Sequence, residues 1–229
     1  MVEVDLWIWS LGGDPGPLAA HLSSEEEARA ARFVRPGDGD AYRIGRGRLR
    51  AILGGLTGTA PGALVFDTNP QGKPSLAGGP SFNLSHSGGL AALAVGPAGI
   101  ALGVDIEAPR AVEEGVARRF FSPAEQAALA DWPGDWLDGF FRIWTRKEAI
   151  VKGCGPGLSM PLDCFDVTLD DAPRLTRLDY PGQRVADWQM RHLGLGPGHL
   201  GALAVACGAR PLSVRLREGP AGLPVHVSG

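Results

Sequence analysis

GGLAALAV, residues 88–95, and GHLGALAV, residues 198–205, are the stretches on which the fold turns. Each follows a glycine-rich turn and runs into an apolar segment of strand length. They lie about half a chain apart, the spacing expected of an internally duplicated unit. Short Ala/Val/Leu strands also resemble one another by composition alone, so the similarity has two readings. Under duplication the chain is two similar α+β halves. A ligand cleft between them is the natural expectation, because pockets are frequent at such junctions.

Working outward, Val2 to Leu11 alternates as a strand, and Gly12 to Pro17 breaks it. Ser23 or Ser24 caps a helix that opens with Glu25, Glu26 and Glu27, acids that suit a helix N-terminus. Arg35 to Gly39 interrupts the helical pattern, and Tyr42 to Leu56 resumes it. Leu64 to Asp67 reads as a short strand and Asn69 to Gly79 as a loop containing QGKP. Ser81 to Leu84 and Leu90 to Val95 read as strands flanking a polar SHSGG turn, followed by a strand from Ile100 to Glu107. The second half repeats this grammar. Val116 to Phe121, Pro123 to Ala130 and Asp138 to Gly153 are helical, and Ser122 is a good N-cap. Strands follow at Asp163 to Leu169, Arg184 to Leu193, Leu200 to Cys207 and Leu212 to Leu216, and EGPAGLPVHVSG is expected to be loosely held.

Two motifs carry chemistry. In GVDIE, Asp105 and Glu107 are two residues apart on a strand and project to one face. In WTRKEAIVK, Glu148 and Lys152 are four apart on a helix and share a face, with Lys147 beside them. If strand and helix meet, three carboxylates converge with ammonium groups at the rim. That set suits a hard divalent cation together with a phosphate ester. The bland readings are a solvated strand face for the two acids and a surface ion pair for Glu148 and Lys152. The apolar neighbours Val104 and Ile106 argue against the first, since unpaired acids on a buried strand are costly.

A net charge of −3 over 229 residues and a 44% hydrophobic fraction describe an ordinary globular chain. Nothing in that balance calls for nucleic acid or a membrane surface. The longest apolar run, Leu90 to Val104, is broken by Gly96, Pro97 and Gly99 and is unsuited to a bilayer. Arginines concentrate between Arg29 and Arg50, a local cationic strip that fits a small anionic ligand. Cys154, Cys164 and Cys207 show neither CxxC spacing nor an even count, so a reducing cytoplasm is expected. MVEVDLWIWSL has no basic n-region, and no signal peptide is read.

FNLSHSGGLAALAV, GVDIE, RFFSPAEQAAL and WTRKEAIVKGCGPGLSMPLDCFDV, in this order, resemble the Sfp-type 4′-phosphopantetheinyl transferases. The resemblance spans most of the chain, from the arginine-rich helix to GLSMPL. It implies a pseudo-two-fold α+β fold, with halves at 1–104 and 105–229. It also implies an activity: the phosphopantetheine arm of coenzyme A moves to a serine of an acyl- or peptidyl-carrier protein, releasing 3′,5′-ADP. A monomer, magnesium and coenzyme A in the cleft belong to the same expectation.

Residue by residue, the resemblance implies Asp105, Glu107 and Glu148 as metal ligands, with a water able to stand in for Glu107. Lys152 contacts phosphate and assists the leaving ADP. Glu148, or a metal-bound water, is the base for the carrier serine. Glu125 matches a further acid with a supporting catalytic role, although a plain helix-start acid explains it as well. Ser85 and His86 fall near the coenzyme's phosphates, and NLSHS lacks the GxSxG of a nucleophile elbow. Lys73 of QGKP matches a coenzyme-binding loop. Arg43, Arg46 and Arg50 match a basic segment on one broad helix face, and guanidinium forks pair well with phosphate. Arg46 is preferred for the 3′-phosphate. Arg29 and Arg32 can replace other family cations, whereas Glu26 stands where some relatives carry lysine. Arg110, Arg118 and Arg119 are candidates for receiving an acidic carrier helix. Two other classes remain: a magnesium-dependent phosphohydrolase of coenzyme A-like diphosphates, and a non-catalytic module binding coenzyme A or a carrier.

Overall fold

Val2, Val4, Leu6 and Ile8 alternate with outward neighbours and build β1 (Val2–Ser10) in a computed structural model describing residues 1–155, 157–196, 198–218 and 225–229. After it come α1 (Gly16–Ala19), α2 (Ser24–Ala30), the long α3 (Pro36–Thr57), a short hairpin β2 (Asp67–Thr68) and β3 (Pro74–Ser75), and a longer hairpin β4 (Ser81–Ser87) and β5 (Leu90–Gly96). The same order then recurs. It runs β6 (Leu102–Glu107), α4 (Glu114–Phe120), α5 (Pro123–Ala130), the long α6 (Trp136–Cys154), β7 (Phe165–Val167), β8 (Leu175–Leu178), β9 (Trp188–Gly194) and β10 (Leu200–Ala206). β11 (Leu212–Glu218) and β12 (His226–Ser228) complete two four-stranded sheets, ordered β11-β1-β5-β4 and β12-β9-β10-β6. In each sheet the first strand of the pass pairs antiparallel with its last. The fold is α+β and duplicated in topology. The second pass opens at Leu102, so the 104/105 division falls inside β6.

The two segments that pointed to the duplication are not aligned as their letters match. Leu93 and Val95 face α3, whereas Leu203 and Val205 face the other sheet. Side chains alternate along a strand, so a one-residue offset exchanges the faces. The duplication is real at the level of elements, and the letter match between the segments comes from composition.

The layers are α3, first sheet, second sheet, α6. Ile44, Leu49 and Leu53 pack on Trp9, Ala91 and Leu93. Val4, Leu6, Ala92, Val104, Leu193 and Leu203 fill the space between the sheets. Phe140, Ile143 and Ile150 of α6 cover Ala202 and Ala204. Because the middle layer draws on both passes, the halves share one core.

Local chemistry explains where expected boundaries moved. Ser23 and Glu26 form a reciprocal cap at α2. Pro36 opens α3, so the expected interruption at Arg35 to Gly39 is mostly its first turn, where proline's missing N–H costs nothing. The strand expected at Leu64 to Asp67 is instead the short β2, because the Leu64 carbonyl is taken by the Arg50 guanidinium at 3.0 Å. SHS is not a turn: Ser85, His86 and Ser87 continue β4, and the turn is Gly88 and Gly89, with φ of 55° and 80°. In the tail expected to be loose, His226–Ser228 pairs with β9, while residues 219–224 lie outside the described residues. Pro156 of the GCGPGLSMPL segment lies outside them as well.

Candidate active site

β6 and α6 approach at Gly103, where a Cβ would sit 2.1 Å from the Ala149 carbonyl oxygen and 2.4 Å from the Gly153 nitrogen. Only a residue without a side chain permits that contact. It brings Asp105, two residues along β6, against Glu148 and Lys152 on α6.

The other wall is β4. Strands β4 and β6 run side by side without a backbone ladder. Side chains replace it: Asn83 Oδ1 accepts from Val104 N at 2.8 Å, Ser85 Oγ from Ile106 N at 3.3 Å, and Ser87 Oγ from Ala108 N at 3.1 Å. The alternation N-x-S-x-S therefore satisfies the edge amides of β6, which would otherwise be orphaned. It also places hydroxyls on the acids. Ser85 donates to Asp105 Oδ1 at 2.9 Å and Ser87 to Glu107 Oε2 at 2.7 Å.

Asp105 is 4% exposed. Its Oδ1 also accepts from Lys152 Nζ at 2.6 Å, while its buried Oδ2 has no hydrogen-bond partner. Lys152 further donates to Ser85 Oγ at 3.0 Å. Glu107 accepts from Arg110 Nη1 at 2.9 Å. Glu148 is half-buried and, among the described residues, makes no hydrogen bond or ion pair. Burial pushes the Asp105 carboxyl upward against the pull of Lys152. Burial, and then the negative charge of Asp105, push Glu148 upward too. The cleft thus holds more carboxylate than its cations balance.

A hard dication suits that donor set: an orphaned carboxylate oxygen, a second carboxylate free of partners, and a third at the rim. Among the described residues, no group of three or more acidic, histidine or cysteine side chains is already gathered as a metal cluster. Three contacts already occupy these acids: Lys152 takes one oxygen of Asp105, and Ser87 and Arg110 both bond Glu107 Oε2.

The acid cleft measures about 350 Å³ and includes His86 and Trp144. Leu84 and His86 also line a groove of about 590 Å³ that runs to Tyr42 and Arg46. Tyr42 and Arg46 in turn border a third cavity of about 680 Å³, with Arg29 and Arg32 on its wall. One continuous surface therefore runs from carboxylates to guanidinium groups.

Several expected site residues are elsewhere. Glu125 is 2% exposed and not in the cleft. Its carboxylate accepts from Lys147 Nζ at 2.7 Å, Val167 N at 2.9 Å and Ser122 N at 2.9 Å, so it is consumed by the core. Lys147, expected at the rim, is fully buried and lies 4.2 Å from the centre of the Phe165 ring. Lys73 donates to two main-chain carbonyls and does not reach the cleft. Arg50 is 3% exposed and spent on Glu26 and the carbonyls of Pro61 and Leu64. Arg43 is held by Glu27 and Asp40. Arg46 remains on the groove wall, braced by Glu26 at 2.8 Å. Glu26, the acid at the position where the resemblance gives some relatives a lysine, thus organises two arginines. Arg118 pairs with Glu114, and Arg119 stacks on Phe120 at 5.2 Å. Ser87, Asn83, Trp144 and Tyr42 were not anticipated. Only the N-x-S-x-S alternation could have flagged the first two.

Residues 101–207 match the family model described as the 4′-phosphopantetheinyl transferase superfamily. The chain is 42% identical over 168 residues to the 4′-phosphopantetheinyl transferase HetI of Nostoc sp., covering 69% of this chain and 70% of that one. It is 35% identical over 162 residues to a 4′-phosphopantetheinyl transferase of Bacillus subtilis, covering 69% and 71%. It is 32% identical over 151 residues to the 4′-phosphopantetheinyl transferase Sfp of Bacillus subtilis, covering 65% and 66%. Similarity of this extent, in a chain whose acid strand and helix lie within the matched span, settles the family: the chain belongs to the 4′-phosphopantetheinyl transferase superfamily.

Proposed function

We propose that this chain moves the phosphopantetheine arm of coenzyme A onto a serine hydroxyl of an acyl- or peptidyl-carrier protein and releases 3′,5′-ADP. One observation carries the proposal. A buried, unpartnered Asp105 oxygen stands beside Glu148 and Lys152, at one end of a surface whose other end bears Arg46, Arg29 and Arg32. Coenzyme A has matching charges: a diphosphate to lie at the acid end with its counter-ion, and a 3′-phosphate for a guanidinium fork.

Glu148, or a metal-bound water beside it, takes the proton of the carrier serine. The serine oxygen bonds to the phosphorus bearing the pantetheine arm, and the bond from that phosphorus to the bridging oxygen breaks. Lys152 leaves Asp105 for the departing diphosphate oxygen and stabilises its charge. Asp105, Glu148 and, directly or through water, Glu107 would hold magnesium, which neutralises diphosphate charge when bound. His86, exposed between cleft and groove, donates to phosphate. Ser85 sets Asp105 and lines the cleft in which the coenzyme's phosphates would lie.

We assign the two halves, residues 1–104 and 105–229, different tasks: 3′-phosphate contacts to the first, and the carboxylates with the Lys152 ammonium to the second. The carrier belongs to fatty-acid, polyketide or nonribosomal-peptide synthesis, and the enzyme works as a cytoplasmic monomer. Three free cysteines agree with a reducing compartment, and no described helix is long and apolar enough to cross a membrane.

Intact-mass measurement of an apo carrier incubated with the protein, coenzyme A and Mg²⁺ tests the reaction. The carrier should gain one phosphopantetheine, and Asp105→Asn should slow the gain roughly a hundredfold or more. Coenzyme A consumed with no change in the carrier would mean hydrolysis, and a bound but unchanged coenzyme would mean a binding module.

A further inference from the structure

Lys73 was expected to reach the coenzyme, but its side chain runs the other way. Its neighbours Gly72 and Pro74 line the arginine-bearing cavity. The Lys73 ammonium instead crosses to the second half, donating to the Lys152 carbonyl oxygen at 2.6 Å and the Leu102 carbonyl oxygen at 3.0 Å. The first acceptor belongs to the last turn of α6, and the second is the first residue of β6. Those two elements supply the carboxylates and the ammonium of the acid cleft.

The loop is built to hold that ammonium in place. Asn69 Oδ1 accepts from Gln71 N at 3.1 Å and Lys73 N at 2.8 Å, folding the loop on itself. Asn69 Nδ2 then donates to the Gly155 carbonyl oxygen at 3.0 Å, beyond the end of the same helix. A helix leaves its last carbonyls without partners and carries partial negative charge there. Gly155, in the left-handed region at φ 91°, closes only the Val151 carbonyl of α6. Lys73 and Asn69, from the other half of the molecule, take two further carbonyls.

We propose that Lys73 is a positioning residue for phosphopantetheinyl transfer. Acting through main-chain oxygens, it locks α6 onto β6 so that Glu148 and Lys152 stay in register with Asp105, and it does not touch coenzyme A. The proposal rests on the transferase reading given above.

Lys73→Met keeps the aliphatic stem and removes the donor, and Lys73→Arg restores one. With wild-type protein as the control, kcat, KM for coenzyme A and the coenzyme Kd are measured for both, alongside amide hydrogen exchange of α6. A small misplacement of reacting groups costs roughly tenfold to a hundredfold in rate. Lys73→Met should therefore lose that much kcat, keep KM and Kd within about twofold of wild type, and exchange faster in the last turn of α6. Lys73→Arg should recover most of the rate. A coenzyme Kd weakened tenfold or more would make Lys73 a ligand and overturn the proposal. Unchanged kcat with faster exchange would also overturn it, leaving a purely structural cap. Should Lys73→Met fail to accumulate, Asn69→Asp, which keeps the oxygen that folds the loop and removes the donor to Gly155, is read by the same criteria. A wild type that transfers nothing would sink the transferase reading. Unaltered exchange in Lys73→Met would then sink the helix cap independently.

Discussion

Replacing Glu125 by glutamine should cripple stability and spare chemistry. Glu125 is 2% exposed and Lys147 is 0% exposed, and the pair is joined at 2.7 Å. Burial pushes the Glu125 carboxyl up and the Lys147 ammonium down, and each partner's charge opposes the other's shift. Glutamine keeps the volume, and its oxygen can still accept from Lys147. Two things are lost: the charge that offsets a fully buried ammonium, and the acceptor facing the Ser122 amide, because the new NH₂ points donor against donor. Breaking one side of a buried ion pair costs about 3–5 kcal/mol. For a chain of this size that is a fall in Tm of roughly 6–20 °C. Scanning fluorimetry gives Tm, and carrier modification at low temperature gives kcat per folded molecule, which should stay within about twofold of wild type. Adding Lys147→Met to Glu125→Gln should recover part of the loss, since it removes the unbalanced ammonium while the glutamine oxygen still accepts from the Val167 amide. A Glu125→Gln protein with unchanged Tm and a hundredfold lower kcat would refute the reasoning and return Glu125 to the chemistry.

Gly103→Ala should separate β6 from α6. The added carbon meets backbone at 2.1 and 2.4 Å, so the elements must move, at a cost of about 1–3 kcal/mol or more, with most activity lost at temperatures where the protein is still folded by circular dichroism. Wild-type activity in the folded variant would contradict the close-approach argument. His192, 7% exposed with an unbonded Nδ1, has its pKa lowered by burial to about 4. Arg142, Arg146 and His226 add to the shift, and Asp138 opposes it. The unfolded histidine protonates near 6.5, so between about pH 6.5 and 4 the unfolded state holds more protons and stability falls as pH falls. The full effect is about 3 kcal/mol. Tm measured against pH should therefore drop less steeply in His192→Gln, and parallel curves would refute the assignment.

What could be read from the residues, and what could not, divides by range. Asp105, Glu107, Glu148 and Lys152 were legible because their spacing is local, two on a strand and four on a helix, and the cleft lines them up as that spacing requires. Pro36 and the β4 continuation through Ser87 were misread by propensity: proline and a polar run look like interruptions when no partner is visible. Glu125, Lys73, Arg43 and Arg50 matched family positions, but position along a chain does not say which way a side chain turns. Glu125 met Lys147 and Arg50 met Glu26 through tertiary contacts that no local pattern encodes. The repeat pointed to the right architecture through segments that lie one residue out of phase. Apolar strands tolerate that slip because Ala, Val and Leu suit either face.

The parallel pairing of β11 with β1, Val2 beside Leu212 and Leu6 beside Leu216, sets an order of events during synthesis. β1 is synthesised long before β11, and one of its edges stays bare until residues 212–218 follow. An uncovered strand edge on a nascent chain invites pairing with other chains. Nascent chains that lack β11 are therefore the vulnerable species, and slow elongation ahead of residue 212 would prolong their exposure.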